Sequence, residues 1–135
     1  MNDRSQNLQT IRHQLLSAKL SDTMSNGEHF QNQTLRPIIK FQNDLFILVF
    51  KTYITNRKNL FYQLNLEKRM DYISHAIQKD LKLRNSLLGM VIGHFTAEEY
   101  EQYCQNSSGL NKRMIHMIIK RIQNQIQVFE SISFI

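Results

Sequence analysis

The scarcity of glycine and proline is the sequence feature that most limits what this chain folds into. Its 135 residues include only 4 Gly and 1 Pro. Sandwiches and barrels of many short strands need frequent turns, and those turns depend on these two residue types. A chain so poor in both is unsuited to such a fold. We expect an all-α fold.

Length and composition indicate one globular domain. Hydrophobic residues make up 41% of the chain and charged residues 21%, which are ordinary proportions for a folded protein. A chain of this length buries roughly two-thirds of the surface that it exposes when unfolded, so it can form a real core. We therefore expect residues 1–135 to form a single compact helical bundle of five or six helices.

The N-terminal part of the chain separates into a helix and a linker. Apolar residues recur at helical spacing between Leu8 and Leu16, which predicts an amphipathic N-terminal helix over residues 1–20. Residues 21–29 are mostly small and polar, which is typical of a linker. The helical core then covers residues 30–131. We expect the linker to leave the first helix mobile, able to swing or to dock on a second subunit.

A long apolar segment follows the linker. It predicts a buried helix over residues 34–55, with Thr34 as its N-cap and Pro37 in its first turn. A strand over residues 45–50 is the competing interpretation, because short apolar runs are ambiguous. The absence of a partner strand elsewhere in the sequence favours the helix.

Two further helices are indicated in the middle of the chain. An apolar stripe over residues 66–81 predicts a helix, with Asn65 as its N-cap. Residues 87–95 are apolar on every side and are expected to run through the core. Gly89 and Gly93 lie four residues apart there and are expected to let another helix approach closely.

The last third of the chain predicts a short helix and then a long one. Thr96 and Glu99 have the spacing of a capping box, which starts the short helix. Residues 106–109 read as a turn. The long helix is expected over residues 110–129, with apolar side chains on about half of its circumference and basic side chains opposite.

That basic face is the strongest interaction signal in a chain whose net charge is +6. A stripe of cations on one helix face suits contacts with the phosphates of DNA or RNA, although a solvated helix face has the same pattern. One interpretation of the function is therefore a nucleic-acid binder that uses its C-terminal helix. The candidate contacts are Lys112, Arg113, His116 and Lys120.

Residues around the short helix also resemble the start of LuxR-type helix-turn-helix domains. In that family a Thr-capped acidic helix leads to a Gly turn and then to a basic helix, so the resemblance implies DNA binding. The residues that carry it are Thr96, Glu99, Glu101, Gly109, Leu110, Asn111 and Lys112.

On a larger scale, residues 84–96 and 110–115 resemble an uncharacterised family of small all-helical bacterial proteins. Some members of that family carry a glyoxalase label, which would imply paired β-α-β modules with His and Glu metal ligands. The sequence has no strand pattern of that kind. The resemblance supplies no catalytic residues for this chain.

The sequence contains no convergent catalytic or metal-binding set. None of its glutamates has a histidine three residues later, which excludes the di-iron bundle motif. One cysteine, Cys104, excludes a Cys-rich zinc site. His94 ends an apolar segment, so it either lines a pocket for a small ligand or forms an ordinary hydrogen bond near a helix C-terminus. We expect no enzyme activity, no cofactor and no metal.

The leading functional prediction is a non-enzymatic interaction or regulatory protein that acts as a homodimer. The broad apolar face of the last helix motivates the dimer, with that helix or the first helix at the interface. The longest apolar run, residues 45–50, is far shorter than the roughly 20 residues of a membrane span. No secretory leader is visible in the sequence, so a cytoplasmic location is expected.

Overall fold

The structure, a computed structural model, describes residues 3–15 and 25–130. Within those two ranges it contains helices and turns and no strand, which confirms the all-α fold. The helices are α1 (Arg4–Leu15), α2 (Asn26–Phe30), α3 (Arg36–Phe41), α4 (Asn43–Thr55), α5 (Leu66–Lys79), α6 (Leu81–Ile92), α7 (Ala97–Cys104) and α8 (Ser107–Gln123).

Helices α2 and α3 form one continuous rod, joined by a π-helical turn at Gln31–Leu35. The amide of Arg36 donates to the carbonyl of Gln31, five residues earlier. Pro37 is the second residue after this turn. In a straight α-helix its ring would clash with the carbonyl four residues before it. The wider π turn relieves that clash, so the helix continues through the proline.

The start of this rod corrects two predictions. The side chain of Ser25 accepts a hydrogen bond from the amide of Glu28 and caps α2. Residues 26–29, predicted as the end of a linker, are therefore helical, and residues 21–24 lie outside the described part of the chain. Thr34, predicted as an N-cap, instead lies within the π turn of the rod, and its side chain is buried.

The middle of the chain forms more helices than the spacing of its apolar residues predicts. Asn65 caps α5 as predicted. Asp80 then accepts a hydrogen bond from the amide of Leu83 and starts α6, so the apolar stripe over residues 66–81 is split between two helices. With α2 and α3 counted as one rod, the described residues form seven helices, more than the five or six expected.

Residues 45–50 lie inside α4, which confirms the helical interpretation over the strand. The single helix predicted over residues 34–55 is, however, divided at Gln42 into α3 and α4. Helix α4 is not buried all round. Leu45 is 45% exposed and Leu48 is 59% exposed, whereas Phe46 and Phe50 on the opposite side lie in the core. One face of α4 therefore presents apolar side chains to the surface.

Helix α8 is the central element of the core and packs against α3, α4, α5, α6 and α7. It begins at Ser107, so Gly109 lies in its first turn, and it ends at Gln123, earlier than predicted. Its apolar face is covered by the chain's own helices and offers little surface to a partner. The buried residues of this face are Leu110, Met114, Ile115, Ile118, Ile119 and Ile122.

The first helix lies against the rest of the molecule. Arg4 donates to the carbonyl of Gly93 at 2.7 Å, and Arg12 donates to the carbonyl of His94 at 2.9 Å. Arg12 also forms an ion pair with Glu99. The structure thus docks α1 on its own chain, and the mobility of this helix stays a prediction.

The expected close helix approach at the two glycines of α6 is wrong. A Cβ atom built on Gly89 would meet no atom within 4 Å outside its own helix. Gly93 is exposed and follows the last residue of α6. A Cβ atom on Gly93 would meet only the carbonyl of Gly89 within 4 Å, so neither glycine makes room for a neighbouring helix among the described residues.

Candidate functional site

The predicted basic stripe lies on the surface of α8. Lys112, His116 and Lys120 are exposed and follow one another at four-residue intervals, so they form a line along the helix. Arg113 is half-buried beside this line, towards the α2–α3 rod. The structure thus keeps all four candidate residues on one side of the molecule.

A groove of about 280 Å³ runs between that side of α8 and the α2–α3 rod. We call it the basic groove, because four of its eight lining residues are Arg, Lys or His. Its lining consists of Gln31, Arg36, Ile39, His116, Met117, Lys120, Arg121 and Asn124.

Arg113 stands at the Gln31 end of the basic groove. Its Nη1 donates to Oε1 of Gln31 at 2.7 Å, which fixes the guanidinium against the π turn. A Cβ atom on Gly27 would lie 3.1 Å from Nη2 of Arg113. The glycine leaves room for the guanidinium to lie close to α2.

Arg36 and Arg121 bring like charges together from two different helices. Burial, and then the nearby charge of Arg36, lower the pKa of Arg121 from its ordinary value. Arg121 donates to Oδ1 of Asn43 at 3.3 Å, and Arg36 donates to Oδ1 of Asn32 at 3.3 Å. Both guanidinium groups are thus oriented by neutral amides.

No carboxylate neutralises this cluster within the described residues. The two ion pairs found there, Arg12–Glu99 and Arg57–Asp80, involve none of the basic residues of the groove. Clustered cations without a carboxylate partner repel one another and create a local positive potential. The basic groove is therefore suited to hold an anion.

Sequence reasoning identified only part of this groove. Arg36 belongs to another helix and faces α8 because the rod packs beside it, a long-range relationship that no local pattern signals. Arg121 follows Lys120 directly and therefore points about 100° away from the exposed stripe. The spacing of apolar and polar residues along α8 did not indicate that Arg121 faces Asn43.

His94 lies apart from the basic groove. It is half-buried after the end of α6, and its ring packs edge-on against Phe41 with centroids 5.4 Å apart. Burial, and then the charges of Arg12 and Arg4, lower the pKa of His94 from its ordinary value. The cavity beside it measures about 10 Å³, which is about the room for one water. The geometry thus gives no support to a small-ligand pocket at His94.

The other candidate reactive or metal-binding side chains do not form a common site among the described residues. Cys104 is exposed and forms no disulfide. Glu99 is engaged in the capping box with Thr96. Among residues 3–15 and 25–130, no three His, Cys, Asp or Glu side chains are grouped so as to hold a metal ion. No described helix is both long enough and apolar enough to cross a membrane.

Comparisons with protein-family models, with curated proteins and with solved structures find no match for this chain. The basic groove is the feature on which a functional assignment rests.

Proposed function

We propose that this chain is a non-enzymatic binding protein whose basic groove holds the phosphate backbone of a nucleic acid. The observation that carries the proposal is the meeting of Arg36 and Arg121 across the groove, with Arg113, His116 and Lys120 beside them. In the described residues none of these basic side chains has a carboxylate partner. An external polyanion would supply the missing negative charge.

The extended form of the site favours a polyanion over a single small anion. The exposed cations of α8 run from Lys112 to Lys120, a distance of about 12 Å at the helical rise of 1.5 Å per residue. A lone phosphate would contact only one end of such a line. A nucleic-acid strand offers a negative charge at every nucleotide and can contact the whole line.

The fixed orientation of the arginines supports the same proposal. Gln31 holds Arg113, and Asn43 holds Arg121, each through the guanidinium. An arginine whose side chain is already ordered loses less conformational entropy when it binds a phosphate. Ordered guanidinium groups that lack an anion are therefore good phosphate ligands.

Charge reversal tests this proposal. Arg36→Glu combined with Lys120→Glu, both on exposed positions of the groove, should weaken binding to a single-stranded oligonucleotide at least tenfold. The control combines Lys68→Glu with Lys82→Glu, which are exposed on α5 and α6 and change the net charge equally. Equal losses in the two variants would show a diffuse charge effect and contradict a groove-specific contact.

The homodimer is a separate proposal with an observation of its own. Phe41, Leu45 and Leu48 are 48%, 45% and 59% exposed on the neighbouring helices α3 and α4. Apolar side chains gathered on one surface favour association. Sedimentation at high micromolar concentration tests the dimer: it should give twice the chain mass of 16.1 kDa, and a strictly monomeric mass would contradict it.

A further inference from the structure

A second, larger cleft opens on the other side of the π turn, between the α2–α3 rod and the α7–α8 junction. Its volume is about 760 Å³, within the usual range for ligand sites. We call it the amide cleft, because five of its ten lining residues carry a side-chain amide. Those five are Asn26, Gln33, Gln102, Gln105 and Asn106.

The side-chain amides of this cleft are not engaged by other described residues. None of the five forms a side-chain hydrogen bond with another residue in the described part of the chain, and all five are exposed. Each amide offers both a donor and an acceptor. The lining contains no Asp, Glu, Lys or Arg, and its one ionisable side chain is His29. Its buried members are Phe30, Thr34 and Leu110. The cleft thus suits a neutral group with donors and acceptors on its edge and an apolar face.

Arg113 lies beside both the amide cleft and the basic groove. Gly27 lines the cleft and Gln31 lines the groove, one helical turn apart on the same rod. Arg113 donates to Gln31 and lies close against Gly27. A nucleotide whose phosphate contacts Arg113 would therefore have its sugar and base next to the cleft.

We propose that the amide cleft takes an unstacked nucleobase from the strand whose phosphates lie in the basic groove. The inference rests on the proposed function and adds to it the class of nucleic acid, which is single-stranded. A base is a flat neutral group with donors and acceptors on its edge, and Asn and Gln are common readers of such edges. In a duplex the bases are stacked and paired, so they cannot enter the cleft without being flipped out.

Three DNA probes of equal length test the inference on the full chain: a mixed-sequence single strand, the same backbone with abasic sites throughout, and the duplex. The base-containing single strand should bind about tenfold tighter than the abasic strand, as expected for one well-recognised base. It should also bind tighter than the duplex. Fluorescence anisotropy at fixed salt measures the three affinities.

A double variant then locates the effect. Gln33→Leu with Gln102→Leu should remove the preference for bases and leave affinity for the abasic strand unchanged. Gln78→Leu with Gln127→Leu, exposed and outside the cleft, should keep the preference. If the first variant is unfolded by circular dichroism, Gln105→Ala on the exposed end of α7 replaces it, with a smaller loss expected.

The outcomes separate the two proposals. Equal affinity for all three probes would overturn the base site and leave the phosphate-binding groove standing. A base preference that survives the cleft variants would also overturn it. No binding to any probe at low salt would overturn the proposed function, and the inference with it.

Discussion

Arg12 of α1 and Glu99 of α7 form a largely buried ion pair across 87 residues of sequence. The side chains of Arg12 and Glu99 are 9% and 14% exposed. Glu99 also accepts hydrogen bonds from the amide of Thr96 at 2.9 Å and from the hydroxyl of Thr34 at 3.3 Å. One carboxylate therefore joins the first helix, the π turn and the cap of α7.

Arg12→Met should lower the free energy of unfolding by about 3 kcal/mol, because the Glu99 carboxylate then stays buried without its cation. Urea denaturation measures the loss. Arg12→Met combined with Glu99→Gln should be less damaging than the two single losses added together, since no unpaired charge remains. Arg57→Met, which breaks the more exposed pair with Asp80, is the matched control. A similar loss of unfolding free energy in Arg57→Met would contradict a larger contribution of the Arg12–Glu99 pair to stability.

The capping box of α7 makes a second stability prediction. Thr96→Ala should cost about 1–2 kcal/mol, because the amide of Glu99 loses its acceptor in a buried setting. Thr96→Ser keeps the hydroxyl and should retain most of the stability. Asn65→Ala at the exposed cap of α5 should cost less. Chemical denaturation measures the unfolding free energy of the three variants. A larger loss in Asn65→Ala than in Thr96→Ala would contradict the prediction.

His94 predicts a pH dependence of stability. Its pKa in the folded chain is lowered below the ordinary value of 6.5, mainly by burial. As the pH falls below 6.5, the unfolded chain takes up the proton first, so the free energy of unfolding decreases until the pH passes the folded pKa. The stability difference between the natural protein and His94→Gln should therefore shrink from pH 7.5 to pH 5. A difference that stays constant or grows over that window would be the contrary result.

The role of α8 in the core gives a fourth prediction. Ile118 is fully buried, and Ile118→Ala should lower the free energy of unfolding by about 3 kcal/mol. Ile118→Asp should leave the chain unfolded at every protein concentration, which circular dichroism detects. A folded monomer from Ile118→Asp would instead place this residue at an interface between two chains.

The sequence predicts well the features that are encoded within a few turns of chain. The period of apolar residues on α8 identifies its buried face, because residues three and four apart share one side of a helix. The caps at Asn65 and Thr96 are likewise local, since each side chain binds an amide three residues later. These signals are sufficient for the all-α fold and for the exposed basic stripe.

The features that the sequence did not predict depend on contacts between distant residues. Arg12 lies on the helix that the sequence predicts to be amphipathic, and only the docking of α1 places it beside Glu99. Arg36 contributes to the basic groove because the α2–α3 rod packs along α8. The π turn at Gln31–Leu35 depends on the helix starting well before Pro37, whereas the sequence placed that proline in a first turn. Two of the four basic residues that line the groove, Arg36 and Arg121, could therefore not be predicted from local sequence patterns.

The affinity for single-stranded DNA as a function of salt concentration tests the central claim most directly. If Arg36, Arg113, Lys120 and Arg121 each neutralise a phosphate, the logarithm of the binding constant should fall against the logarithm of salt with a slope of about −3. The variant with Arg36→Glu and Lys120→Glu should show a shallower slope. Absence of binding at low salt, or a slope near zero, would contradict the account of the basic groove.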